Sequence, residues 1–385
     1  MTAKAERIPA LTGARFPAIM VIVFSHFEFL LNYGDFGAAY WQFWHNPTMG
    51  VDFFFMASGF GMMLGSMRED PKGIAPIGGV RDAFAFGWRH VKSIYPLYVV
   101  TLLASIPFWI LDGVGGGNST VAEELLRCLL LLLMDLTLLQ SMTGHIVFAH
   151  SLNSVCWFLS SLFCIYLVSP RIMRSIKRCP ATPRAMVIGV AACIVFSATL
   201  GALFGYIEDV GPLFDDLSYG SPYRRVFYVM AGMFLARLYS CRRESDTGAD
   251  ASSLVGSGAF EHAFVVASVI WFFTRTSSGL ADTLLAYVID MLLVAGYLYA
   301  LALGRGVISR LLRSKPMVYL GTISVYVFLT HHVIRRYLNL GINALGIKCL
   351  VVGIAEAVLM LAISLLVSVK LYNRKRRRRA SRQAS

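Results

Sequence analysis

Apolar positions in this chain do not alternate with polar ones. They gather in long runs separated by short polar or basic stretches. The runs fall at about 14–33, 49–67, 93–111, 124–140, 152–170, 185–205, 223–239, 261–274, 283–303, 316–338 and 346–370. A helix rises about 1.5 Å per residue, so roughly 20 residues cross a bilayer. Each run is a candidate membrane-spanning helix, some of them a little short.

The polar stretches fix an orientation. Lys and Arg gather in the 68–92 loop (Arg68, Lys72, Arg81, Arg89, Lys92), in 171–184 (Arg171, Arg174, Lys177, Arg178, Arg184), in 237–243 and in 305–315. The tail carries NRKRRRR, whereas 112–123 and 206–222 hold no Lys or Arg. Loops rich in Lys and Arg stay in the cytoplasm, so both termini are placed there. The number of crossings is then even, and eleven runs break that parity. The conflict lies between 93 and 170. Segment 124–140 carries Arg127 and Asp135, and charges inside a membrane segment mark a buried or re-entrant role. The expected fold is an all-α polytopic membrane protein with about ten transmembrane helices plus this one irregular or re-entrant segment. Arg335 and Arg336, near a predicted outer end, run against the scheme.

Composition supports this class. The 385 residues are 57% hydrophobic with a mean hydropathy of +0.63, beyond the range of a soluble globular protein. The net charge of +13 resides in loops and tail, which argues for a membrane protein and against a nucleic-acid binder. No hydrophilic stretch is long enough for a soluble domain; the longest are 68–92 and 240–260. The chain reads as one membrane domain, 1–385, with a core of about 8–370 and a basic cytoplasmic tail, 371–385, placed to touch anionic lipid. The first run follows Lys4 and Arg7 like a signal peptide. It contains His26 and Glu28 and no small-residue cleavage site, so it is a retained span. Five of the seven cysteines lie in apolar segments and Cys179 and Cys241 beside basic residues, a pattern with neither a metal nor a disulfide framework.

Candidate chemistry begins with RFPAIMVIVFSH, Arg15 to His26. Eleven steps of about 100° return to nearly one face, roughly 16 Å along the axis. Arg15 and His26 therefore share a stripe, with His26 near mid-bilayer depth. An imidazole exchanges protons near neutral pH, and a cation on its face holds an anionic group or steadies developing negative charge. The bland alternative is a snorkelling anchor and a packing histidine. In GVDFFFMASGF, Asp52 lies at the mouth of the second span, as a dipole-favoured carboxylate or as a partner orienting His26 or a substrate hydroxyl. Ser58 and Gly59 offer a hydroxyl and a close backbone approach. In WRHVKSIYPLY, Arg89 and Lys92 share a face, as positive-inside anchors or as a phosphate site. WFLSSLFCIYLVSP carries Trp157 and Tyr166, and LGTISVYVFLTHHVIRR places His331 and His332 late in a span. GHIVFAH sets His145 and His150 in a loop without partners at metal spacing, so no metal site is assigned.

Taken in order, these stretches resemble the acyltransferase-3 family of integral membrane O-acyltransferases over about 8–370. Arg15 and His26 match the first signature, and Asp52, Ser58, Gly59 and Phe60 the second. RHVKSIYPLY matches the third with Lys92 where Arg is commoner. SPYRRVFYVMAGMFLARL is similar to a later span, and Ser324 and His331 match the last block. Three positions depart: Leu162 stands where many members have Glu, and Val325 and Phe328 replace tyrosines.

The resemblance implies transfer of an acyl group, usually acetyl, from cytoplasmic acyl-coenzyme A to a hydroxyl of a surface carbohydrate or lipid-linked glycan. His26 would be the general base or a transient acyl carrier, Arg15 the anion or oxyanion partner, and Asp52 the third catalytic candidate. Arg89 and Lys92 would guide the coenzyme phosphates, with Ser58, Trp157, Tyr166, Ser324 and His331 lining the substrate site. Acyl-CoA is a donor substrate here and no cofactor is held. The partners expected are that donor, the acceptor and membrane lipid; without the esterase-like domain that several members carry, the chain either transfers directly or hands on to a separate extracytoplasmic protein. The expected home is the bacterial inner membrane. The competing reading is a proton-coupled transporter or flippase built on the Arg/His/Asp cluster, although no inverted repeat supports it.

Overall fold

Each apolar run folds as helix, because in lipid a helix satisfies its own backbone groups. The computed structural model describes residues 8–44, 47–70, 78–115, 119–211, 213–245, 258–275, 280–347 and 349–384. Lys4, Arg7 and residues 246–257 of the polar 240–260 stretch lie outside these. The helices are α1 (Pro9–Ser25), α2 (Gly34–Trp44), α3 (Thr48–Glu69), α4 (Val80–Val91), α5 (Tyr95–Gly115), α6 (Val121–Leu136), α7 (Ile146–Ala149) and α8 (Trp157–Arg178). Then come α9 (Pro183–Val210), α10 (Pro222–Ser245), α11 (Gly258–Thr274), α12 (Leu280–Leu303), α13 (Val307–Leu312), α14 (Lys315–Ala344) and α15 (Leu350–Ala384). No described residue is in a strand.

Among the described residues eight helical spans are long and apolar enough to cross a membrane. Two further helices match apolar runs of the sequence without being among those eight. One is α11, apolar but only 17 residues long; the other is α10, which carries Arg224 and Arg225 in its first turn. The basic helix ends meet on one side, here termed the basic face. Lys177 donates to the carbonyls of Ser66 and Asp70 at 3.0 and 2.6 Å, Arg237 to those of Ile176 and Cys179, and Lys375 to that of Ser93 at 2.7 Å. The cations that set the orientation thus also satisfy backbone carbonyls at helix ends and turns.

The irregular segment is re-entrant. α6 descends along α5 until the hydroxyls of Tyr95 and Tyr98 meet the carbonyls of Leu136 and Asp135 at 2.7 and 2.8 Å. The chain then climbs back, and the Leu152 carbonyl accepts from Trp109 at 3.2 Å. Tyr95 and Trp109 are fourteen residues apart on one helix, so residues 137–152 retrace roughly 20 Å. Irregular backbone at such depth must be enclosed by protein. Leu138, Gln140, Ser141, Leu152 and Asn153 are indeed buried, and Ser160 and Ser141 hydroxyls bond the loop to the start of α8. At the other end, a capping box between Thr120 and Glu123 starts α6. There the Thr120 backbone N–H and hydroxyl hold the Glu123 carboxyl below the usual range.

Arg335 and Arg336, which opposed the orientation scheme, are neutralised internally. Arg335 pairs with Glu28 at 3.6 Å and Arg336 with Asp112.

Glycines set the helix contacts that position the site. A Cβ on Gly13 would meet the Leu312 backbone at the end of α13, and one on Gly321 the Thr12 carbonyl and the Gly13 Cα, so α1 lies close to both α13 and α14. Gly59 of α3 and Gly232 of α10 meet the backbones of Val229 and Met56 in the same way. Replacing Gly232 by Leu is expected to cost about 1–3 kcal/mol by overpacking. Thermal unfolding of the purified protein should show a lower midpoint, and an unchanged midpoint would contradict this packing.

Candidate active site

Arg15 lies in the second turn of α1, at the wall of a cavity. A cavity of about 750 Å³ opens there, on the basic face, lined by Arg15, Arg68, Tyr326, Tyr372, Lys375 and Arg376 among others. The last three belong to α15, so the basic tail forms one wall of the cavity. A deeper chamber of about 270 Å³ continues from it and shares Arg15, Ala57, Ile94, Thr322 and Val325. Ser58, His90, Tyr166 and Ser324 give the chamber its polar groups; Phe54, Phe158, Leu159 and Phe328 make its end apolar. Tyr166 interacts with both Ser58 and Arg15. The Ser58 hydroxyl also donates to the Phe54 carbonyl at 2.8 Å, and that of Ser324 to Gly321 at 2.9 Å.

Beyond this end sits a cluster of imidazoles. The apolar pattern put His26 inside a helix at mid-depth, but α1 stops at Ser25 and His26 caps it. The His26 and Phe27 amides turn back to Val23 and Phe24 in tighter bonds, and the chain passes into a 3₁₀ turn, Glu28–Asn32. Nδ1 of His26 lies 2.7 Å from the Ile22 carbonyl. A carbonyl only accepts, so Nδ1 carries the proton and Nε2 presents a lone pair. The His331 and His332 rings stand 5.1 and 5.7 Å from that of His26. Nδ1 of His331 faces the Phe328 carbonyl at 2.8 Å, which leaves its buried Nε2 as an acceptor with no partner. Nε2 of His332 accepts from Arg335 at 3.1 Å. Arg15 and His26 thus both face α14 from one stripe of α1.

Other candidates lie elsewhere. Asp52 is fully buried and pairs with Arg225 Nη1 at 2.5 Å, one layer away on α3 and α10, and this partner is not His26. Trp157 belongs to the same layer. With Phe55, Tyr219 and Tyr228 it surrounds the Arg225 guanidinium at 5.0–5.7 Å. Arg224 stands beside it, 3.8 Å from the Tyr287 ring and bonded to Tyr228 at 2.6 Å. Arg89 lines a separate cleft with Arg171, Arg174 and Lys177, and Lys92 is exposed and lines none of these cavities. The cations in the main cavity are instead Arg15, Arg68, Lys375 and Arg376. Sequence reasoning gave the tail only a lipid-facing role and passed over Arg224 and Arg225. Adjacent arginines inside an apolar run were the available signal. Among the described residues no group of three or more His, Cys, Asp or Glu is disposed to hold a metal ion.

A family model for an acyltransferase domain matches residues 8–373, nearly the whole chain. The chain belongs to the acyltransferase-3 family. In this membrane acyltransferase Arg15 lines the basic cavity and the chamber, and His26 stands in the histidine cluster. No curated protein and no solved structure is significantly similar to it. All three departures from the family pattern, Leu162, Val325 and Phe328, fall on the chamber wall, where they make it more apolar.

Proposed function

We propose that this acyltransferase takes an acyl group, acetyl being the simplest, from acyl-coenzyme A and transfers it to a hydroxyl of a surface carbohydrate or lipid-linked glycan. The observation that carries the reading is one continuous path. It leads from a cavity ringed by cations into an apolar chamber beside Arg15; Ile22, Phe328 and Leu329 wall that chamber next to the His26–His331–His332 cluster, whose rings do not line it. A nucleotide thioester has phosphates at one end and an apolar acyl group at the other, and the path has the matching polarity. Arg68, Lys375 and Arg376 take the phosphates, and Arg15 steadies the charge that develops on the thioester oxygen. Nε2 of His26 takes the proton of the attacking hydroxyl or carries the acyl group in passing. The basic face is cytoplasmic on this reading, with both termini there and a bacterial inner membrane as the setting.

The test uses the purified protein in nanodiscs with radiolabelled acetyl-coenzyme A, with and without a cell-envelope glycan extract. Release of coenzyme A and labelled glycan are expected. Solute flux with no donor requirement would favour the transporter reading, which the buried Asp52–Arg225 and Asp290–Arg275 pairs keep open. Changing Lys375 and Arg376 together to Ala is expected to raise KM for the donor about tenfold or more at nearly constant kcat, since these cations bind ground and transition states alike. A fall in kcat with KM unchanged would place the phosphates elsewhere.

A further inference from the structure

The re-entrant segment holds a second constellation that the reading above does not use. His150 ends the short helix α7, and its Nδ1 lies 3.2 Å from Oγ of Ser154. Its Nε2 lies 3.3 Å from Oδ2 of Asp216, in the loop between α9 and α10. That 3.3 Å approach is a close contact without hydrogen-bond geometry: neither of those last two atoms has a hydrogen-bond partner, and both are buried. Asp216 is fixed by a bond from the Gly220 amide to its Oδ1 at 3.1 Å. Serine, imidazole and carboxylate thus stand in a row, the ring presenting one nitrogen to each neighbour. A hydroxyl becomes a nucleophile when an adjacent base takes its proton and a third group orients that base.

The row lies behind the apolar end of the chamber, though its three residues do not line that chamber. Ser154 lies one helical turn before Phe158, which forms the apolar end of the chamber with Leu159, Phe328 and Leu329. Asn153 donates to the Leu329 carbonyl at 3.1 Å, two residues before His331. His150 is also near enough to His26 for the two rings to interact electrostatically. Ser154 and His150 are half-buried, hence reachable. They lie at the end of the molecule away from the basic face, as does Trp109, whose side chain meets Leu152. A donor bound from the basic face and an acceptor on the opposite side need a group that holds the acyl in between.

We infer that Ser154 is a nucleophile that carries the acyl group as a seryl ester between donor and acceptor, with His150 as its base and Asp216 orienting His150. The inference rests on the acyltransferase reading and deepens it. In the first half, Oγ of Ser154 attacks the carbonyl carbon of an acyl thioester. The carbon–sulfur bond breaks, and the serine proton passes through His150 to the departing thiolate. In the second half, an acceptor hydroxyl gives its proton to His150 and attacks the seryl ester. The ester bond to Ser154 breaks, and the serine leaves with that proton. His26 and Arg15 serve the thioester end. Transfer to either a glycan or a lipid-linked acceptor follows the same chemistry.

The decisive experiment incubates the protein in nanodiscs with radiolabelled acetyl-coenzyme A, without acceptor, and maps the label by peptide mass. The peptide containing Ser154 should gain one acetyl group, removable by alkaline hydroxylamine. Ser154→Ala should lose the label and slow acceptor acetylation by roughly a hundredfold or more. Ser154→Cys should retain the label as a thioester, now removable by neutral hydroxylamine, a change that a merely structural serine would not produce. His150→Gln and Asp216→Asn, assayed where their melting matches the wild type, should slow formation of the ester. Label on another residue, or wild-type turnover in Ser154→Ala, overturns the carrier and leaves the acyltransferase reading intact. No donor turnover by the wild type overturns both.

Discussion

Changing His26 to Ala is expected to abolish acyl transfer while the protein remains folded. A positioned general base contributes roughly a hundred- to ten-thousandfold, and covalent catalysis at least as much. The fold should tolerate the change, because the bond lost is one from Nδ1 to the Ile22 carbonyl at the frayed end of α1. The α1–α14 contact through Gly13 and Gly321 lies some three turns away and does not involve the ring. Release of coenzyme A by equal amounts of wild type and variant, both monodisperse and melting alike, checks this. Full activity in the variant would remove His26 from the chemistry. His331→Ala should have a smaller effect, since its Nε2 is enclosed rather than placed on the stripe shared with Arg15.

Arg225→Ala is expected to give the largest loss of stability. The Asp52–Arg225 pair is completely buried, and removing one partner leaves an uncompensated charge at a cost of about 3–5 kcal/mol. Oδ2 of Asp52 already has no hydrogen-bond partner, and Arg224 and Arg275 reach the carboxylate only electrostatically. The variant should express poorly and melt well below the wild type in detergent. Replacing both partners with apolar residues, Asp52→Leu with Arg225→Met, should recover much of the loss, because the desolvation of both charges disappears with them. This pair also decides between the two roles open to Asp52. As half of a structural ion pair, Asp52→Asn lowers stability and leaves the kcat of the folded fraction nearly unchanged. As an orienting partner of His26, it would lower kcat in a protein of normal stability.

Particular residues show how far the sequence could be read. Arg15 and His26 were legible because one lies in α1 and the other caps it, and helical geometry fixes their mutual placement before any packing is known. The re-entrant segment was legible as a broken parity, from charge counts in loops and from Arg127 and Asp135 in an apolar run. Asp52 was the opposite case. Its nearness to His26 was an expectation about two different helices, and α3 turns it toward α10 instead. The phosphate candidates Arg89 and Lys92 were read as neighbours of a span entrance, yet α4 ends there and carries Arg89 into another cleft.

By itself, then, the sequence determined the helical membrane class, the basic face and its matching helix ends, the family, and the Arg15–His26 stripe. These follow from hydropathy, loop charge and spacing within single helices. Only the tertiary structure decided that Asp52 meets Arg225, that Lys375 and Arg376 wall the cavity, and that His150 stands between Ser154 and Asp216. The reason is physical. Lipid is as apolar as the protein interior, so a membrane helix can be apolar all round, and its pattern does not reveal which face it buries. Rotation and register are set by close contacts at Gly13, Gly59, Gly232 and Gly321, which exist only once the helices are together.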